Sequence, residues 1–401
     1  MKILVYRWNA WNQRDLEESL HHKGYDISPV SAVPHNIEED DAFVEALVCQ
    51  LKSELPQFLF SINYFPVLAQ AAHLTGIPYV CWNCDGSLLS MYDTSIFYDT
   101  NFLFTFDRAC VSRFQQIGLS QIWYLPLGVN ARRLQQVFAA SSPFAGESYD
   151  ISFVGSLYEK NSYDEIAHLL PPYLAGYLEG ALTAQQAISG GNILKLLLTP
   201  PICEQLEEVT SYHRSEHSFA GISQLFSSTV LGFKAANQKR CEILNTLSKE
   251  GKGWQPAAQV HLFTTDTARE LPLVSLHPPV DYFQEMPWIF QNTAINLHST
   301  IPTIETGISL RIWDVLGSGG FLLTDYREDL LEFFQSEKYL SVYEDTEELT
   351  AKAEFYLQRD TLRQDIAKRA QKLVLENHTW DIRIDKMLHT LKPFSFVSPV
   401  R

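Results

Sequence analysis

Short apolar runs alternating with amphipathic stretches constrain this chain more than any other feature. Lys2–Trp8 reads as a strand, Asp15–Lys23 as a helix stopped by Gly24, and Phe58–Asn63 as a second buried strand. Helix Pro66–Thr75, ended by Gly76, leads into strand Ile77–Trp82. Strand Phe102–Phe106, helix Ala109–Gln116 with Gly118 as its stop, and strand Gln121–Leu125 follow. Strands that alternate with helices in this way predict a parallel, doubly wound sheet.

A stretch bearing Pro, Ser and Gly, Ala139–Glu147, reads as a hinge to a second domain. With 401 residues the chain is too long for one ordinary core. The second domain opens with strand Ile151–Val154 and the turn Gly155-Ser156. Residues 162–249 are mostly helical, with breaks at Pro171-Pro172, Gly190-Gly191 and Pro200-Pro201. That is too much for one crossover, so it reads as an inserted helical subdomain. The strand rhythm resumes at Val260–Thr264, Ala294–Leu297, Phe321–Thr324 and Leu340–Tyr343. A long amphipathic helix, Thr346–Asn377, broken near Asp360, and a last helix around Trp380–Thr390 close the chain. The expected division is 1–147, 148–377 with the insert at 162–249, and 378–401. The expected fold class is α/β: two Rossmann-like domains facing a cleft, with ligand at the carboxyl ends of the strands.

Composition excludes several functions. Thirty-one basic residues against 47 acidic ones give a formal charge of −16, and no basic run appears, which argues against a nucleic-acid partner. MKILVYRWNAWNQ turns polar after five residues, as a first strand does and a signal peptide does not. No apolar run approaches the ~18 residues that span a bilayer, and six Cys are too few for a disulfide framework. A cytoplasmic location is expected. Cys81 and Cys84 form CWNC at the end of a strand, where buried small side chains fit better than redox chemistry. The 12 His show no metal-ligand spacing, so no bound metal is expected. GxSxG, Walker and GxGxxG patterns are missing as well.

Residues Thr306 to Leu323, TGISLRIWDVLGSGGFLL, carry most of the chemistry. A Gly turn, a short helix with Arg311 and Asp314, a Gly-Ser-Gly-Gly stop and a buried strand make a seat for a phosphate. Arg311 can equally form a surface salt bridge. Asp314, bracketed by Trp313 and Val315, is expected to be partly buried and therefore partnered, by a ribose diol or an internal ion pair. Gly155, Ser156 and Lys160 follow a strand and suit a diphosphate, or else a plain turn with a solvated Lys. Asp85, ending IPYVCWNCD, suits a general base for an acceptor hydroxyl or a turn-forming Asp-Gly. Trp8, Asn9 and Trp11 offer a stacking face or packing. Tyr282 and His298 lie at loop and strand ends, where His298 can donate to a phosphate or simply be structural.

Several stretches together resemble a known family. FLFSINYFPVLAQAAHLTGIPYVCWNCD, TFDRACVSRFQQIG and IWYLPLGVN resemble the N-terminal domain of bacterial proteins of the DUF3880 type. ISFVGSLYEKN, VDYFQEMPWIFQNTAINLH, TGISLRIWDVLGSGGFLLTDYREDLLEFF and ENHTWDIRIDKML resemble the glycosyltransferase domain of the CgeB-like group. The resemblance implies a GT-B fold and metal-independent transfer of a sugar from a nucleoside-diphosphate sugar, with no further cofactor. It implies that the final helix returns to the first domain and that Asp314 takes the place of the Glu that holds the donor ribose. Glu305, Thr306 and Gly307 fall where residues face the transferred sugar, with Thr306 in place of the family's first Glu. The implied partners are a nucleotide-sugar donor and a protein, glycan or lipid-linked acceptor. A nucleotide-sugar epimerase and a catalytically silent binding subunit remain open on the same scaffold.

Overall fold

The computed structural model describes residues 1–86, 88–212, 215–255, 257–394 and 396. They form two compact units, Met1–Asn130 with Arg214–Gly221 and His378–Arg401, and Ala131–His213 with Ile222–Asn377. The chain therefore passes from one unit to the other after position 130, between 212 and 215, and after 221 and 377.

In the first unit β1 (Lys2–Tyr6), β2 (Asp26–Pro29), β3 (Leu59–Ile62), β4 (Tyr79–Asn83), β5 (Asn101–Thr105) and β6 (Ile122–Tyr124) make one parallel sheet. Its order is β2-β1-β3-β4-β5-β6, so the winding reverses between β1 and β3. Every residue of β3, β4 and β5 is buried, as a parallel sheet covered on both faces requires. Phe43, Val44, Leu47 and Leu51 of helix Asp41–Glu54 pack in one core with Val67, Leu68 and Ala71 of helix Pro66–Thr75. The Trp380–Leu391 helix belongs to this unit: its wholly buried Arg383 donates through Nε to the Leu127 carbonyl at 3.0 Å. A short strap at 215–221 does too, with Phe219 N donating to the Tyr92 carbonyl at 2.7 Å.

Two elements here are additional to the sequence reading. β2 is a half-exposed edge strand ending in Pro29, with too little apolar content to stand out. Helix Asp41–Glu54 did carry signals: an apolar stripe at 43, 44, 47 and 51, and Asp40, whose side chain accepts from Phe43 N as an N-cap.

In the second unit β7 (Tyr149–Val154), β8 (Val260–Phe263), β9 (Ser275–His277), β10 (Thr293–His298), β11 (Leu322–Asp325) and β12 (Ser341–Tyr343) form a second parallel sheet. Its order, β12-β11-β10-β7-β8-β9, reverses between β7 and β10. Between β7 and β8 lies the helical insert, which holds its own core of Leu174, Leu178, Leu206, Phe226 and Leu231. A π-turn, Phe226–Val230, feeds its last helix, Leu231–Glu250, whose inner face packs on the sheet. The tail helix is split into Thr346–Leu357 and Asp360–Asn377, the break falling where the sequence predicts it. Among the described residues no helix is long and apolar enough to cross a membrane.

Candidate functional site

Helix Leu310–Gly317 runs from the loop after β10 towards β11. Ser309 precedes it in extended geometry, but no side chain caps the helix start; the Ser309 hydroxyl instead meets His298 Nε2 at 2.8 Å. Within the first turn the Ile312 amide donates to the Ser309 carbonyl at 3.2 Å. Arg311 Nη1 reaches Met286 Sδ and lies 3.4 Å from Asp314 Oδ2, with the Phe290 ring 5.5 Å from its guanidinium. Asp314 is buried and accepts from the Tyr282 hydroxyl at 3.0 Å through its other oxygen. The i, i+3 spacing brings Arg311 and Asp314 to one face, so the ion pair and the buried acid expected from sequence are the same contact. His298 is buried at the end of β10. Burial, reinforced by the charges of Arg240, Arg311 and Arg327, holds its imidazole well below the ordinary value and therefore neutral.

Four of the predicted residues (Tyr282, His298, Arg311 and Asp314) thus gather around one helix start. Glu305, Thr306 and Gly307 lie in the loop just ahead of it, where the Thr306 carbonyl accepts from Asp329 N at 3.1 Å. The small-residue run behind the helix serves the protein's own packing. A Cβ on Gly320 would stand 2.6 Å from Asn296 Nδ2 and 2.7 Å from the Phe290 carbonyl.

The β7 turn is built differently from a free amide cradle. Gly155 has φ +153°, a backbone geometry that L side chains rarely adopt, and its N–H goes to the Phe263 carbonyl at 3.0 Å. Asp266 accepts from Ser156 Oγ at 3.0 Å, from Leu157 N, and from Thr264 Oγ1 at 3.0 Å. Tyr158 N in turn donates to Ser156 Oγ at 2.8 Å. The amides of residues 155, 157 and 158 are therefore engaged by the protein itself. Lys160 is exposed and forms no bond with the described residues.

Two residues missed in the sequence complete this region. Asp266 holds the turn, as above. Arg240, on helix Leu231–Glu250, donates through Nη1 to the Ser156 carbonyl at 2.5 Å and through Nη2 to the Ser299 carbonyl at 2.9 Å. It thereby spans the ends of β7 and β10, where the sheet order reverses and open α/β sheets take their ligands.

Asp85 follows β4 in the first unit. Asn63, in left-handed geometry at φ 64°, donates through Nδ2 to Asp85 Oδ2 at 2.6 Å and accepts from the amides of Cys84 at 2.9 Å and Asp85 at 3.3 Å. Asp85 keeps an open face to solvent. Desolvation by the surrounding protein still raises its carboxyl above the usual range, against the Asn63 bond. Burial pushes the Cys81 and Cys84 thiols up, away from the reactive thiolate that redox chemistry needs. Trp8 is pinned through Nε1 to the Ile62 carbonyl at 2.7 Å and edges onto Phe65, while Trp11 is 70% exposed. Among the described residues no group of three or more His, Cys, Asp or Glu is placed to hold a metal ion.

Residues 238–389 match the family model described as glycosyl transferase-like. No curated protein matches the chain. Solved structures share the fold along the whole length. A glycosyltransferase from Rickettsia africae ESF-5 is 11% identical, covers 99% of each chain and has a TM-score of 0.55. Sucrose-phosphate synthase from Thermosynechococcus elongatus is 9% identical over 99% of this chain and 100% of its own, with a TM-score of 0.57. Anabaena HepE, solved in complex with UDP and glucose, is 10% identical over 98% and 100%, with a TM-score of 0.56. The chain has the GT-B fold, two Rossmann-like units each built on a six-stranded parallel sheet.

Proposed function

We propose that the protein transfers a sugar from a nucleoside-diphosphate sugar to an acceptor hydroxyl. The observation that carries this reading is the cluster at the start of helix Leu310–Gly317: an uncapped helix start, Arg311, a neutral His298, and the buried Asp314 with its Tyr282 partner. A diphosphate takes the helix start and Arg311, and the ribose hydroxyls take Asp314. Glu305, Thr306 and Gly307 face the sugar that moves. The glycosyl-like match over 238–389 and the resemblance to the CgeB-like group support the same assignment.

In this mechanism the bond between the anomeric carbon and the diphosphate oxygen breaks, and the bond to the acceptor oxygen forms. Negative charge grows on the departing diphosphate, where Arg311 and the helix dipole meet it, so no metal ion is required. Asp85 takes the acceptor's proton. The raised carboxyl suits a base, because a more basic carboxylate accepts a proton more readily at neutral pH. Lys160, exposed and uncommitted, is available as a further point charge.

The test is a panel of nucleoside diphosphates and their sugars, followed by thermal shift and by release of nucleoside diphosphate in EDTA. A ligand at about 100 times its Kd adds about 2.7 kcal/mol of stability. The proposal predicts a shift with one nucleotide family and transfer that survives EDTA. Absence of binding across the panel would discard it.

A further inference from the structure

Trp11 is 70% exposed, and it alone of the chain's eight Trp is largely open to solvent. A single exposed apolar side chain is ordinary on a protein surface; the place of this one is not. Trp11 lies in the loop between β1 and helix Gln13–His22, at the carboxyl end of a strand that borders the reversal of winding. Its neighbour Asn12 donates through Nδ2 to Cys84 Sγ at 3.2 Å, and Asp85 follows Cys84. One hydrogen bond thus ties the loop of the indole to the loop of the carboxylate that takes the acceptor's proton.

The protein's own bonds fix this loop. Ala10 N donates to the Trp8 carbonyl at 2.6 Å, Gln13 N to the Ala10 carbonyl at 3.2 Å, and Leu16 N to the Asn12 carbonyl at 3.0 Å. Trp8 serves packing, through its bond to Ile62 and its edge contact with Phe65. Trp11 is a rigid ring on a tied loop, so a ligand that stacks on it orders little chain. Hydrogen-bonding groups border it, with Asn9 and Asp85 both exposed. A flat apolar face edged by polar groups matches a sugar ring, which carries C–H groups on its faces and hydroxyls around its rim. The segment after β2, the strand next to β1, exposes Val33 and Ile37, which would suit a lipid. It also exposes Glu38, Glu39 and Asp41, which repel a lipid's phosphate.

We infer that Trp11 is the platform on which the acceptor stacks, and that the acceptor is a neutral saccharide. The acceptor oxygen forms the bond to the anomeric carbon, its proton passes to Asp85, and the diphosphate leaves with the electron pair of the broken bond. The inference rests on the transfer reading above. To it is added the class of acceptor, which the sequence leaves open among protein, glycan and lipid-linked forms.

The experiment compares the full chain as wild type, Trp11→Phe and Trp11→Ala, each checked by circular dichroism. Saturation-transfer NMR and calorimetric titration read the binding of maltose, cellobiose, lactose and N,N′-diacetylchitobiose, with the nucleoside diphosphates of the panel above titrated alongside. Wild type is expected to bind at least one disaccharide. Trp11→Ala is expected to weaken it by about 10- to 30-fold, the loss of a central aromatic contact. Trp11→Phe keeps a flat ring and should lose less than about fivefold. Nucleotide binding stays as in wild type, and in turnover the loss falls on the acceptor KM, with kcat changed by less than about twofold. Disaccharide binding that Trp11→Ala leaves unchanged overturns the inference, as does a wild type that binds a nucleotide but no disaccharide. Transfer to undecaprenyl phosphate or to a serine-rich peptide in place of the sugars overturns it too. A wild type that binds no nucleotide of the panel overturns the transfer reading itself, and this inference with it, whatever the disaccharides do.

Discussion

Asn63 grips Asp85 from two sides, donating to its carboxylate at 2.6 Å while accepting from its backbone amide at 3.3 Å. Replacing Asp85 by Asn should lower kcat by about 100- to 10,000-fold, the range of a general base, and leave UDP binding unchanged. Asn63→Ala should move the acid limb of kcat/KM to higher pH. The lost bond stabilised the carboxylate, so its removal favours the protonated form, and activity is lost earlier as pH falls. A pH profile that does not move would remove Asp85 from the mechanism.

Arg311→Ala should cost little stability. Its partner contact is a long, single ion pair with the side chain 23% exposed, worth under about 1 kcal/mol after solvent screening. A chain of this size then loses no more than roughly 4 °C in Tm. UDP binding, by contrast, should fall beyond detection in a millimolar titration. A large fall in Tm would make the guanidinium structural.

Asp314 and Tyr282 predict a sugar-specific effect. Wild type should bind UDP at least about tenfold more tightly than its 2′-deoxy analogue, since a hydrogen bond to a charged group is worth about 1.5–3 kcal/mol. Asp314→Asn should erase that difference. Tyr282→Phe, which removes one donor to the carboxylate, should cost about 1–2 kcal/mol of stability by leaving a buried oxygen under-satisfied. Urea unfolding reads the second effect, calorimetric titration the first.

His298 sets a pH dependence of stability. Its imidazole is held well below the ordinary value of about 6.5 in the folded protein. Below that pH the unfolded chain binds a proton that the folded one refuses, so stability falls as pH drops, by about 1.4 kcal/mol per unit for this group. His378, pushed down to about 4 by burial and by Arg383, acts in the same direction. Denaturation curves between pH 7 and 5 should show the loss, and His298→Asn should make it shallower.

The strands were legible because parallel strands buried on both faces are mostly apolar; β3, β4 and β5 stand out for that reason. Arg311 and Asp314 were legible because helical spacing alone puts them together. Asp266 and Arg240 were not: the first reaches Ser156 across 110 positions, and the second reaches Ser156 and Ser299 across 84 and 59. No local pattern marks a residue whose role is created by the crossover that returns it. The glycine turn follows the same rule, since Asp266, which takes the Leu157 amide and the Ser156 hydroxyl, arrives only after the whole insert.

The placement of the last helix fixes an order of assembly. Arg383 seals the Leu127 carbonyl from 256 positions downstream. At about 5–20 residues per second, ribosomal synthesis leaves that carbonyl waiting roughly 10–50 s for its donor. The amino-terminal lobe is therefore finished last, after the lobe encoded behind it, and a nascent chain halted near position 370 should still be open to protease at its beginning.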